Sequence, residues 1–390
     1  MRIDTVAFTV TVQEAIGNSE EKNMAGSSFG KIFTVTTWGE PVGNGIGVVI
    51  DGVPAGIKLN ENDVQSYLNR RKPFKASFEP VKHENDFVSI NSGISNGVTN
   101  GLPIAMTITN SSVRNKKDDS NDRVFRPGQD DFTYDAKFGV RSNRGTGNAA
   151  WRETAARVAA GAVAQAILSG IGISFCSYVS SIGPVSIKYA SSSVENISTN
   201  PLRMPDRDAA AEALAYLEKV AADRDSAGGT VEVVVTGVPA GIGEPVFNKL
   251  DARLAQAVMS IGLINGVEFG EGFGATLSTG THTADSFSFA GGRVEKKSNS
   301  SGGMLGGISD GSEIVLRASV MPTPVTGITT KTVDNEGNEV DYTGTPAETT
   351  IVPRAVVVVE SMMAIALVDM LFENMLSKID SIEDYYKAKR

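Results

Sequence analysis

The stretch from Pro353 to Ile379, PRAVVVVESMMAIALVDMLFENMLSKI, constrains the fold more than any other. It reads as one long helix, with Pro353 near its first turn, where a missing N–H is tolerated. Its most apolar run, Val356 to Phe372, is interrupted by Glu360, Ser361 and Asp369. Those groups are costly in hydrocarbon, so the run is not a membrane span. With 390 residues, 41% of them hydrophobic, the chain has ample material for a large core.

The net charge of −9 argues against nucleic-acid or anionic-membrane partners, because phosphate binding wants a basic face. Local arginine clusters can still grip a small anion. A single cysteine, Cys176, excludes an internal disulfide and a cysteine-based metal cluster. His83 and His282 lie far apart and outside any ligand spacing, so no metal site is expected. The start of the chain lacks a basic region followed by a long apolar one, so no secretory signal is read and a cytoplasmic location is expected. Val6, Phe8, Val10 and Val12 alternate there like a strand.

Asn60 is a candidate N-cap for a helix through Arg71, stopped by Pro73. DFVSINSGISNGVTNG and PIAMTITN read as strands separated by Gly and Asn turns. Residues 111–150 show almost no apolar periodicity and read as a long loop, ordered around Arg126-Pro127-Gly128. WRETAARVAAGAVAQAILSGIGI is a helix rich in small residues, suited to close packing and burial. DAAAEALAYLEKVAADRDS is an amphipathic surface helix, GTVEVVVTGVPAG a strand ending in a turn, and SEIVLRASVMP another strand. KLDARLAQAVMSIG is a helix with Gly262 as the expected C-cap. VDNEGNEVDYTGTPAE reads as a polar loop. DGVPAG at Asp51–Gly56 recurs as TGVPAG at Thr236–Gly241, each after an apolar strand. Two similar halves and a shared turn chemistry both account for that repeat.

Taken in order, SSFGKIFTVTTWGE, FRPG, FTYDAKFGVR, RETAARVAAGA, TGVPAGIGEPVFNKLDARLAQAVMSI, GVEFGEGF, GGMLGGISDG and VPRAVVVVESMMAIALVD resemble the chorismate synthase family. The family's usual start matches MAGSSFGK at Met24. Residues 1–23 are then an N-terminal extension, either an extra strand or an upstream start, and 24–390 form one domain. The resemblance implies an α+β fold, a β-α-β sandwich with buried helices between antiparallel sheets, and a homotetramer. It implies a lyase that eliminates phosphate from 5-enolpyruvylshikimate 3-phosphate with reduced FMN. The sequence GNGIG at Gly43–Gly47 is accordingly a turn, since it lacks the following helix of a dinucleotide loop.

Such an elimination needs fixed cations for a trianionic substrate, best as arginines, and a proton donor near neutrality. By resemblance Arg70, Arg71, Arg126 and Arg152 match substrate-binding positions. Both family histidines are replaced: GESHG reads GEPVG, with Val42, and RPGH reads RPGQ, with Gln129. Valine transfers no proton, and glutamine hydrogen-bonds to an anion without transferring one. Glu348 keeps a carboxylate where the family has Asp, so the catalytic set is read as Glu348, Gln129 and Arg126.

The positions of the flavin contacts are Asn148, Ala149, Ala150, Gly262, Leu263, Gly306 and Met321, with Pro346 and Ala347 before Glu348. An Arg and a Lys of the family are missing among them. Each lost charge-assisted bond is worth about 1.5–3 kcal/mol, which predicts weakened flavin binding. Scaffold motifs stay intact while polar site positions become apolar. Three readings stand: a chorismate synthase with a weakened site, a family member turned to another anionic ring ligand, or a non-catalytic relative that assembles with a partner.

Overall fold

The computed structural model describes residues 26–40, 43–79, 86–110, 124–139, 151–345 and 348–387. The alternation at Val6–Val12, the Pro41-Val42 pair, His83, Asn148–Ala150 and Pro346-Ala347 lie outside them.

One antiparallel sheet is built from β1 (Ser28–Phe29), β2 (Thr34–Gly39), β3 (Gly45–Asp51), β4 (Val88–Ile90) and β5 (Ile104–Thr109), in the order β1-β2-β3-β5-β4. Ile46, Val48 and Ile50 on β3, and Ile104, Met106 and Ile108 on β5, are buried at every second residue, as a sheet with one face on a core requires. The second antiparallel sheet holds β6 (Ser174–Ile182), β7 (Val185–Ser186), β8 (Gly229–Thr236), β9 (Ile264–Phe269) and β10 (Ile314–Val320), in the order β9-β10-β8-β6-β7. Val231, Val233 and Val235 face the core from β8, and Ile314, Leu316 and Ala318 from β10.

The longer helices are α1 (Glu61–Arg70), α2 (Asp131–Phe138), α3 (Thr154–Gly170), α4 (Arg207–Ala222) and α5 (Leu250–Met259). Toward the end of the chain come α6 (Val352–Asn374) and α7 (Ile379–Lys387). The helix α3 lies on the first sheet, α6 on the second, and the two pack on each other. The layers therefore run sheet, helix, helix, sheet, which is the α+β sandwich expected. By length and composition α6 is apolar enough to cross a membrane, but Val352–Met370 are all buried inside the protein.

The three polar interruptions of α6 are each satisfied by protein groups. Glu360 accepts from Arg70 and Gln165, Ser361 donates to Val357 O at 2.7 Å, and Asp369 accepts from the backbone N–H groups of Lys31, Ile32 and Phe33. Arg253 Nη2 also reaches Asp369, at 3.1 Å. A Cβ on Gly161 of α3 would overlap the Ser361 side chain, so the two helices approach closely at that glycine.

Asn60 caps α1 in a capping box with Asp63. Three expectations change. The last residue capping α5 is Ser260, not Gly262, and the left-handed position nearby is Leu263, at φ +68°. The long loop contains α2, ended by left-handed Gly139. The polar segment before α6 is a hairpin, Thr329–Val333 paired with Glu339–Thr343, turning at Asp334–Asn338. In each case a local turn contact, invisible to hydrophobic periodicity, set the backbone.

The near-repeat marks two halves of equal topology. Elements run β2-β3-α1-β4-β5-α3 in one and β6-β8-α5-β9-β10-α6 in the other, where β7 and α4 are inserted between β6 and β8, with matching orders of these strands in the two sheets. The repeated turns share their backbone, with φ +77° and +101° at Gly52 and Gly56 against +82° and +108° at Gly237 and Gly241. Thr99 Oγ1 donates to Pro54 O at 2.7 Å, and Ser309 Oγ to Pro239 O at 2.6 Å. A common turn alone would not reproduce the whole order, so the repeat reflects two similar halves.

Candidate anion-binding site

Consecutive arginines at the end of α1 point to different carboxylates. Arg71 is fully buried, and its Nε and Nη2 donate to Asp86 Oδ2 at 3.2 and 2.7 Å. Arg152, in the turn leading into α3, donates to the other oxygen of Asp86 and, through Nε, to Asn110 Oδ1 at 2.9 Å. Burial pushes the Asp86 carboxyl up, but the Arg71 and Arg152 guanidiniums outweigh it and hold the pKa below the ordinary value. Two cations thus share one buried anion.

Arg70 turns the other way, to Glu360 on α6 and Ser177 on β6. Arg126 bonds to Asp131 within its own turn, with Nε–Oδ2 and Nη2–Oδ1 both at 2.7 Å. The four expected substrate arginines are therefore one pair and two separate members. Each already holds a carboxylate of the same chain.

The flanks of the replaced histidine position reach this pair. Asn110 Nδ2 donates to Glu40 O at 3.0 Å and Gly43 O at 3.1 Å, while its oxygen takes Arg152. Glu40 and Gly43 are thereby tied beside Arg152. Gln129 sits half-buried in the turn after Arg126, its N–H donating to Arg126 O at 3.1 Å. That turn docks on the hairpin before α6, with Phe125 N to Val333 O at 3.0 Å and Thr332 Oγ1 to Phe125 O at 2.5 Å. His282, the described histidine, is on the short exposed helix Gly280–Thr283, with its Nε2 3.6 Å from Glu271.

Glu348 is buried and bonds to Arg354, whose Nε donates to Arg71 O at 2.8 Å. The carboxylate expected to relay a proton is thus engaged by a guanidinium. In the other half Arg157 of α3 reaches Ser260 at the end of α5, at 2.6 Å. Each central helix is tied by an arginine to the end of the other half's helix. Sequence reasoning missed Asp86, Glu360 and Arg354. Of these, Glu360 and Arg354 stand in the VPRAVVVVES motif, but their partners are not legible there.

The flavin positions inside the described residues are Gly262, Leu263, Gly306 and Met321. None carries a charge, and the Met321 N–H is already given to Leu263 O at 2.8 Å. Beside Gly306, the stem of Lys249 packs across Gly307. A phosphate and an anionic ring want fixed cations or free N–H donors. These residues do not fit that group. One donor near the arginines is orphaned: the Trp151 indole N–H, next to Arg152 in the chain, is buried with no acceptor among the described residues.

Fold and site together define an α+β sandwich protein with buried guanidinium–carboxylate clusters at the ends of its central helices. Comparison with known proteins assigns that class to a family. The chorismate synthase family model matches residues 33–372, and the chain belongs to this family. It is 48% identical over 366 residues to a chorismate synthase of Lachnoclostridium phytofermentans, covering 93% of this chain and all of that one. A chorismate synthase of Methanosarcina barkeri is 44% identical over 354 residues, 89% and 96% of the two chains. A solved chorismate synthase structure superposes with a TM-score of 0.72 at 30% identity, covering 93% of this chain and 98% of that one.

Proposed function

We propose that this chain binds a phosphorylated and carboxylated ring of the 5-enolpyruvylshikimate 3-phosphate class and eliminates phosphate far more slowly than histidine-bearing members of its family. The observation that carries this reading is Gln129. Where the reaction needs a proton donor, the chain has an amide, and the neighbouring Arg126 is engaged by Asp131. Ligand contact falls to the exposed edge of Arg152 and to the orphaned Trp151 N–H, with Arg71 and Asp86 holding Arg152 in place.

A second reading keeps the family reaction at full rate, forming chorismate with reduced FMN. It is favoured by 48% identity along the whole length of a relative named chorismate synthase. A homotetramer in the cytoplasm accompanies both readings.

The test is a titration with 5-enolpyruvylshikimate 3-phosphate followed by Trp151 fluorescence in a Trp38→Phe background, since the chain has two tryptophans. A parallel assay measures phosphate release with FMN under reducing conditions. Saturable quenching with little turnover supports the first reading. Turnover at the rate of a histidine-bearing relative overturns it, and absence of quenching removes the ligand.

A further inference from the structure

We infer that Arg70 and Arg203 form a second oxyanion site, apart from the Arg152 cluster and beyond the function proposed above. Arg70 is the last residue of α1. Its guanidinium lies 5.3 Å from the Tyr67 ring centroid and donates Nη1 and Nη2 to Glu360 at 2.8 and 2.6 Å. The same carboxylate accepts from Gln165 Nε2 at 3.2 Å and from Ser177 Oγ. Glu360 is therefore spent on Arg70 and two neutral donors.

Arg203 arrives at this place from the loop before α4. Its Nη2 donates to Arg70 O at 3.1 Å, and no carboxylate of the described residues forms an ion pair with it. Burial lowers its pKa first and the charge of Arg70 lowers it further, with Glu360 opposing both. Arg70 is thus paired with Glu360, while the half-buried Arg203 guanidinium holds only a backbone carbonyl, and a negative charge is its missing partner.

The backbone is a separate observation. Arg203 has φ +58°, a left-handed conformation unfavourable for a residue with a side chain. The loop enforces it: Asn200 Oδ1 accepts from Leu202 N at 3.1 Å and Met204 N at 3.2 Å, and its Nδ2 donates to Met204 O at 2.8 Å. Capping the end of α1 uses one N–H of the guanidinium and explains neither the strain nor the remaining donors. A tetrahedral oxyanion, taken in bidentate fashion, uses them. Inorganic phosphate and the phosphate of a small ester share that chemistry.

The test uses the full-length chain with Arg203→Gly, because glycine suits the left-handed backbone and the fold is kept. Inorganic phosphate is titrated by calorimetry at constant ionic strength into wild type, Arg203→Gly and Arg152→Met. The expected result is a binding event that Arg203→Gly weakens about tenfold or more and that Arg152→Met leaves in place. Glycerol 3-phosphate in the same titration tells an ester site from a free-ion site. Equal phosphate binding by wild type and Arg203→Gly overturns the proposal. So does a fall in oligomeric mass of Arg203→Gly without any phosphate heat, which assigns the missing anion to a second copy of the chain.

Discussion

Arg71 and Asp86 form an ion pair in which neither side chain is exposed, with Nη2 and Oδ2 2.7 Å apart. A buried pair is hard to replace on one side only, because the remaining charge has lost its water and its partner. Asp86→Asn should therefore cost about 3–5 kcal/mol of stability. Urea unfolding measures this, and Arg71→Met in the Asp86→Asn background should recover part of the loss. A cost near zero for the single change would mean that the pair is not holding the end of α1.

The same pair sets an acid-side pH dependence. Asp86 titrates below its ordinary value of 3.8 in the folded chain, as do Asp206 and Asp310. The unfolded state then binds more protons below about pH 4, so stability is fully present above that pH and is lost as pH falls through the lower folded values. Unfolding free energy should be level from about pH 7 to 5 and decline below about 4. Asp86→Asn should flatten part of that decline. An unchanged slope would remove Asp86 from the titrating set.

The contact of Gly161 with Ser361 predicts that the two central helices are sensitive to one methyl group. Gly161→Ala should cost about 1–3 kcal/mol through overpacking, despite alanine's better helix propensity. Thermal unfolding reads the effect, and Ser361→Gly in the same chain should relieve it. A stabilised Gly161→Ala would show that the helices separate at no cost.

Restoring the two histidines tests the proposed loss of turnover. Val42→His with Gln129→His should leave phosphate release from 5-enolpyruvylshikimate 3-phosphate close to the wild-type level. The reason is that two positions expected to hold flavin carry Asn148 and Met321 where the resemblance implies Arg and Lys. Fast turnover by this double variant, measured with FMN under reducing conditions, would show that flavin binding does not depend on charge at those positions.

What the sequence determined by itself was local or repeated often enough to be read in one dimension. Asn60 starts a helix because its side chain meets N–H groups two and three residues on. The alternation of Ile46, Val48 and Ile50 marks a strand with one buried face, and the motifs from SSFGK to VPRAVVVVES gave the family and the sandwich. The repeat of GVPAG was legible too, though not its meaning.

Only the tertiary structure decided that meaning, since two halves are equivalent through sheet order and turn geometry and not through residue identity. It also decided the site. Arg70 and Arg71 are neighbours in the chain, yet one takes a carboxylate 290 residues away and the other a carboxylate 15 residues away. An arginine in a motif announces a need for an anion. Which anion it finds depends on packing of distant elements, because Coulomb attraction between buried groups acts through space and takes no account of sequence separation.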